Sequence, residues 1–181
     1  MRTLIFALAT ASLAMSSAAF GATFELSSPS YRPGDKIKTE QVYNGLDCVG
    51  GNLSPALTWK NPPAGTRSFL LTFFDPDAPS GSGWWQWVVY NIPATATGLP
   101  EGVTSNYGLP AGAAEGRTDY GNPGYGGPCT PPGPAHRYIF TLTALKVSAL
   151  DVPTNATAAW VGYVAHGEAL ATAQLVLQYS R

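Results

Sequence analysis

The chain has 181 residues, 12% of them charged, with 10 Lys and Arg against 11 Asp and Glu. That length suits one domain with one sizeable core, and so even a balance gives no electrostatic case for nucleic acid or an anionic membrane as partner. With 20 Gly and 16 Pro, the composition points to short strands between many turns, on a surface that takes its polarity from Ser, Thr and Asn.

The first 21 residues read as a leader: Arg2 supplies a positive start, Leu4 to Ala14 form an uncharged and mostly apolar run, and nothing acidic precedes Glu25. A cut after Gly21, with Ala19-Phe20-Gly21 as the small-x-small site, is the preferred reading, and a cut after Ala19 is the alternative. The apolar run is too short to span a bilayer, which takes about 18 to 25 residues, and no later segment is long and apolar enough. The chain is therefore expected to be periplasmic or secreted, with residues 22–181 as the mature domain and no integral membrane segment after leader removal. Its two cysteines, Cys48 and Cys129, predict a disulfide in an oxidising compartment; two buried free thiols are the alternative. Such a bond would close a loop of about 80 residues, for which the chain-entropy model gives at most about 4 to 5 kcal/mol.

Short β-favouring runs follow at Thr23 to Leu26, Lys36 to Val42, Ala56 to Trp59, Ser68 to Phe74, Trp84 to Ile92 and Arg137 to Val147, which together make an all-β pattern. The runs from Ser68 and from Arg137 are apolar on both faces, as in a central strand covered on both sides. From Leu99 to Pro134 there is no apolar period, and Gly and Pro punctuate Tyr107, Tyr120 and Tyr125; an irregular stretch of this length, tethered at Cys129, is where a site is expected. Near the end, Thr154 or Asn155 is read as the cap of a helix through Ala156 to Ala165, stopped at Gly167 and followed by a closing strand from Ala169 to Tyr179.

Two constellations carry chemistry. Asp75-Pro76-Asp77-Ala78-Pro79 brings two acids out of a buried strand on a proline-stiffened backbone, and in an extended chain they face opposite ways. In Gly127-Pro128-Cys129 through Pro134-Ala135-His136-Arg137-Tyr138, a stiff loop delivers His136 and Tyr138 to one face of a strand start. His136 can donate, accept or carry charge near neutral pH. Read alone, each pattern is also met in plain structural roles: a turn with two acids, and a histidine satisfied by backbone.

Together these segments resemble the phosphatidylethanolamine-binding protein family. Asp75 to Pro79 followed by Trp84-Trp85-Gln86-Trp87-Val88-Val89-Tyr90-Asn91-Ile92-Pro93 is similar to one of the family's signatures, and Gly127-Pro128 through Tyr138 is similar to the other. The resemblance runs from Phe24 to Arg181 and extends to Cys48-Val49-Gly50-Gly51-Asn52-Leu53-Ser54-Pro55 and the closing Leu170 to Arg181, with the exported bacterial branch in particular; some of its members carry a similar cysteine pair. It implies a mainly β fold, a large antiparallel sheet packed on a smaller one with a short helix near the C-terminus. It also implies a pocket for phosphate-like anions lined by Asp75, Pro128, His136 and Tyr138, with Trp84 at its wall. Strand alternation then turns Arg137 away from the pocket to pair with Asp77. The family's aromatic strand normally carries a pocket histidine where this chain has Gln86, which keeps an amide donor and loses a titratable one. Weaker anion binding than in relatives with both histidines is the consequence. Asp75 among anions requires its own proton or a protonated His136.

The resemblance thus implies a non-catalytic binding protein for a phosphate-like anion or phosphorylated head group, without metal or cofactor. Inhibition or modulation of a partner protein is the activity that family analogy suggests. Exposure of Trp84, Trp85 and Trp87 would favour a protein or carbohydrate partner, and burial a structural role. One rival is a hydrolase in which Asp75 orients His136 as base, against which stands the lack of a Gly-x-Ser-x-Gly elbow. Asp75 and Asp77 as calcium ligands lack companion carboxylates, and His166 with Glu168 reads as solvated. A structural protein with a decayed pocket is the third class.

Overall fold

A computed structural model describes residues 22–181; the expected leader lies outside them. The strands are β1 (Glu25–Ser27), β2 (Leu57–Lys60), β3 (Ser68–Asp75), β4 (Trp84–Pro93), β5 (Gly98–Leu99), β6 (Ala114–Glu115), β7 (His136–Leu145) and β8 (Ala169–Tyr179), with one α-helix, α1 (Ala158–His166). They form a three-stranded sheet ordered β1-β2-β5 and a five-stranded sheet ordered β6-β4-β3-β7-β8, antiparallel throughout. This is the two-sheet, mainly β architecture with a short C-terminal helix.

The large sheet is covered on both faces, which is why its central strands are apolar at successive positions. On one face Phe69, Leu71, Phe73, Trp87, Val89, Phe140, Leu142 and Leu175 pack against Leu26, Leu57, Trp59 and Leu99 of the small sheet, with Phe73 stacked on Phe140 at 3.9 Å between ring centres. On the other, Leu70, Val88, Tyr90 and Leu145 pack against Ala158, Val161 and Ala165 of α1.

One irregularity sets up the site. Phe73 opposes Trp87 while Phe74 opposes Trp85 and Asp75 opposes Trp84, so Gln86 is the extra residue of a β-bulge. A bulge turns the side-chain alternation by one step, and Trp84 and Gln86 thereby join Asp75 and Trp87 on the face of the main core.

Elsewhere the chain departs from the sequence reading. Lys36 to Val42 is not a strand: it meets β8 through a single bridge from Lys36 to Gln178 and then tightens into a 3-10 turn at Thr39–Gln41. Ile37 is buried in the main core, and the buried Gln41 is held by a polar contact, Tyr31 Oη donating to its Oε1 at 2.5 Å. The helix is capped by Thr157, whose hydroxyl accepts from Trp160 N, and not by Thr154 or Asn155; Asn155 adopts a left-handed φ of 64°, and Ala156 N closes a turn onto Pro153 O. Gly167 ends the helix as expected. Within Leu99 to Pro134, part of the chain covers the free edge of β4: Gly116 N donates to Val88 O, Asp119 N to Trp85 O and Gly126 N to Gln86 O. These bonds protect an otherwise open strand edge.

Candidate functional site

The ends of β3, β4 and β7 converge on a cavity of about 340 Å³ lined by Asp75, Trp84, Gln86, Tyr120 and Tyr138 at its polar end, with Leu46, Pro79, Cys129 and Pro131 among its apolar walls. Asp75 is almost wholly buried, at 3% exposure, and both its oxygens are engaged. Oδ1 accepts the backbone N–H of Asp77 at 2.9 Å, and Oδ2 lies 2.8 Å from Nδ1 of His136. With the Nδ1 proton given to Asp75, His136 keeps Nε2 to accept when neutral or to donate when protonated. His136 borders the cavity through Asp75 and is not itself among the lining residues. Pro128 does not line it either: it is buried, and its carbonyl accepts Tyr43 N at 3.0 Å.

Tyr138 and Tyr120 supply hydroxyls. The Tyr138 hydroxyl is 2.7 Å from that of Thr130, and Tyr120 donates to Gly127 O at 2.7 Å. Burial pushes both phenols well above the usual tyrosine range, and the nearby Asp75 carboxylate adds to this; both therefore stay neutral donors at any physiological pH. Tyr120 stacks on Tyr43 at 4.0 Å and meets Trp84 edge-on at 5.4 Å. The buried indole N–H of Trp84 has no hydrogen-bond partner, the one buried side-chain polar atom of that kind among the described residues.

Gln86 is buried, at 2% exposure, and its amide is occupied. In the orientation that satisfies both ends of the amide, Nε2 donates to Gly126 O at 2.7 Å, Gly127 O at 2.9 Å and Tyr120 Oη at 3.1 Å. The donor expected to reach an anion is instead fixed on the loop backbone. Among the described residues, no Lys or Arg lines the cavity.

Outside the cavity, Arg137 holds Asp77 with Nε at 2.9 Å from Oδ2 and Nη2 at 2.7 Å from Oδ1, reinforced by its own backbone N–H at 2.9 Å. These bonds hold the Asp77 carboxyl down at about 2 from its ordinary 3.8. Asp75 and Asp77 thus turn to different partners. The cysteines are joined, Cys48 to Cys129. Trp87 is fully buried and donates to Glu115 Oε1 at 2.6 Å, while Trp84 and Trp85 are only partly covered. His166 is exposed, and Glu168 lies 3.7 Å from Lys146 Nζ. Sequence reasoning missed Tyr120 among the polar residues of the cavity, along with the wall residues Leu46, Ser80 and Pro131. Tyr120 belongs to a segment without period, and its one sequence signal was an aromatic residue held among glycines and prolines.

The class of protein defined here is a two-sheet β domain with a carboxylate–imidazole pair beside a small cavity at one end of its large sheet. Residues 27–180 match the model of the phosphatidylethanolamine-binding protein family, and the chain belongs to that family. It is 44% identical to the UPF0098 protein YbcL of Escherichia coli (strain K12), over 99% of this chain and 98% of that one, and 46% identical to the UPF0098 protein YbhB of the same organism, over 86% and 99%. The crystal structure of Escherichia coli YbcL, described as a new member of the mammalian family, superposes with a TM-score of 0.85 over 88% of this chain and 99% of that one.

Proposed function

We propose that this chain is an exported, non-catalytic binding protein whose cavity takes a phosphate-type anion, free or as the head group of a larger molecule. The observation that carries the reading is the Asp75–His136 pair at 2.8 Å beside a cavity that holds two neutral groups able to donate, the Trp84 indole N–H and the Tyr138 hydroxyl, while the Tyr120 proton is taken by Gly127 O. When His136 is protonated it offsets the Asp75 charge, and an anion meets donors alone. When His136 is neutral, the buried carboxylate repels the same anion. Gln86, with its amide engaged by Gly126 and Gly127, adds no compensating charge, so binding is weak and strongly dependent on pH. The disulfide supports an oxidising compartment outside the cytoplasm.

A hydrolase fits less well: Ser80 is the hydroxyl-bearing serine of the cavity wall, and its Oγ donates to Gly83 O and is not held by His136. Calorimetric titration with sulfate, which keeps its charge across the range, tests the binding reading. Affinity should be at least about tenfold higher at pH 5.5 than at pH 8, because only a cationic imidazole offsets the Asp75 carboxylate. Affinity that is flat, or tighter at pH 8, would contradict the mechanism.

A further inference from the structure

The Cys48–Cys129 bond is part of the cavity wall. Cys129 lines the cavity beside Leu46, and its sulfur lies 3.1 Å from the Leu46 carbonyl oxygen. The segment carrying Leu46 is anchored at both ends, by Tyr43 N on Pro128 O and by Asn52, whose side chain donates to Tyr125 O and accepts from Gly127 N. Between those anchors its ties to other parts of the chain are few: the disulfide, the Gly51 N–H on Thr39 O at 3.0 Å, and the C-terminal Arg181, whose guanidinium donates to Asp47 O at 2.9 Å and Thr130 O at 2.8 Å.

The same segment is strained and bare. Leu46 and Asp47 both lie in the left-handed region, with φ of 51° and 63°, a conformation that side-chain-bearing residues resist and keep only where the surroundings enforce it. Leu46 is 66% exposed and Val49 is 86% exposed, so little apolar burial holds the turn down.

We infer that the Cys48–Cys129 bond positions Leu46 as a wall of the binding cavity and so places that cavity under thiol–disulfide control. Cys48 is 5% exposed, so an attacking thiolate reaches the bond at Cys129, from the cavity side. One thiolate of a dithiol attacks the Cys129 sulfur and Cys48 leaves as a thiolate. The second thiol then attacks the mixed disulfide and releases Cys129, leaving the dithiol oxidised by two electrons and its two protons on the cysteine thiols. With the bond open, the left-handed turn relaxes and the cavity loses one side. A molecule bound in the cavity shields Cys129, so binding and reduction oppose one another.

Hydrogen exchange read by mass spectrometry, on the protein before and after dithiothreitol, decides the matter without reference to any ligand. Exchange in residues 44–51 should rise at least about tenfold on reduction while β3, β4, β7 and β8 keep their protection. No change in 44–51, or a rise spread over the large sheet, would overturn the inference, the latter because the bond would then be a global staple. Cys48→Ala with Cys129→Ala should reproduce the local effect. Arg181→Ala, which leaves the bond intact, should give a smaller rise of about two- to fivefold in the same segment, and a rise elsewhere counts against the assignment. A second arm, titration with inorganic phosphate, rests on the anion reading of the cavity: weaker binding by the reduced protein supports control, and equal binding by both forms contradicts it. Phosphate binding by neither form removes the anion reading, and the exchange result still decides the role of the bond.

Discussion

The two sides of the cavity are built on opposite terms. On the β3–β7 side, the buried Asp75 carboxylate is paired with the partly exposed His136 imidazole, so that both members are ionisable. On the β4 side, Gln86 and Tyr120 are tied to Gly126 and Gly127 and stay neutral. A histidine on the β4 side would have given the cavity two titrating groups; the glutamine gives it a scaffold for the loop in place of a charge. Response to pH therefore rests on one side, and shape on the other.

Breaking the charged side has the largest effect. Asp75→Ala leaves His136 Nδ1 and the Asp77 N–H without their acceptor in a buried position, and unfolding by urea should show a loss of about 2 to 4 kcal/mol; a loss below about 1 kcal/mol would mean that the pair is not structurally coupled. Recharging the neutral side sharpens the contrast. Gln86→His should raise phosphate affinity about three- to tenfold at pH 5.5 and leave it unchanged at pH 8. It should also cost about 1 to 2 kcal/mol of stability, because Gly126 and Gly127 lose amide donors. No gain at acidic pH would show that the position does not face the ligand.

The smallest effect belongs to the ion pair outside the cavity. The Asp77 carboxyl is depressed in the folded protein, so its contribution is complete above the unfolded value of 3.8 and is lost as pH falls through about 2. Asp77→Asn should lower Tm by about 1 to 3 °C at pH 7, since exposed pairs contribute little, and the difference from the parent should vanish at the acid end. A difference that persisted there would assign the effect to the Arg137 backbone contact.

The fold was legible where side-chain period and burial coincide. The two-faced apolar runs of β3 and β7 mark central strands from sequence alone, and the Ala169 to Tyr179 run gives β8 to the residue. Lys36 to Val42 misled because its apolar residues are buried by a loop that touches β8 at one point, an arrangement set by distant partners such as Tyr31 and Gln178. In the site, Asp75 and His136 are brought together in the sequence reading only through the family resemblance of the two motifs that carry them. The bulge at Gln86 could not, since alternation alone carries no signal for an inserted residue. Tyr120 reaches the cavity only because its segment docks on the edge of β4 through backbone bonds, which a side-chain pattern does not record.

Nuclear magnetic resonance of the indole N–H groups during titration with inorganic phosphate at pH 5.5 tests the binding claim most directly. Trp59 and Trp87 already donate to Ala96 O and Glu115 Oε1 and serve as internal references. The unpartnered Trp84 indole signal should move with saturation while those two stay in place. A Trp84 signal that does not move, or one that moves only together with both references, would contradict anion binding in the cavity.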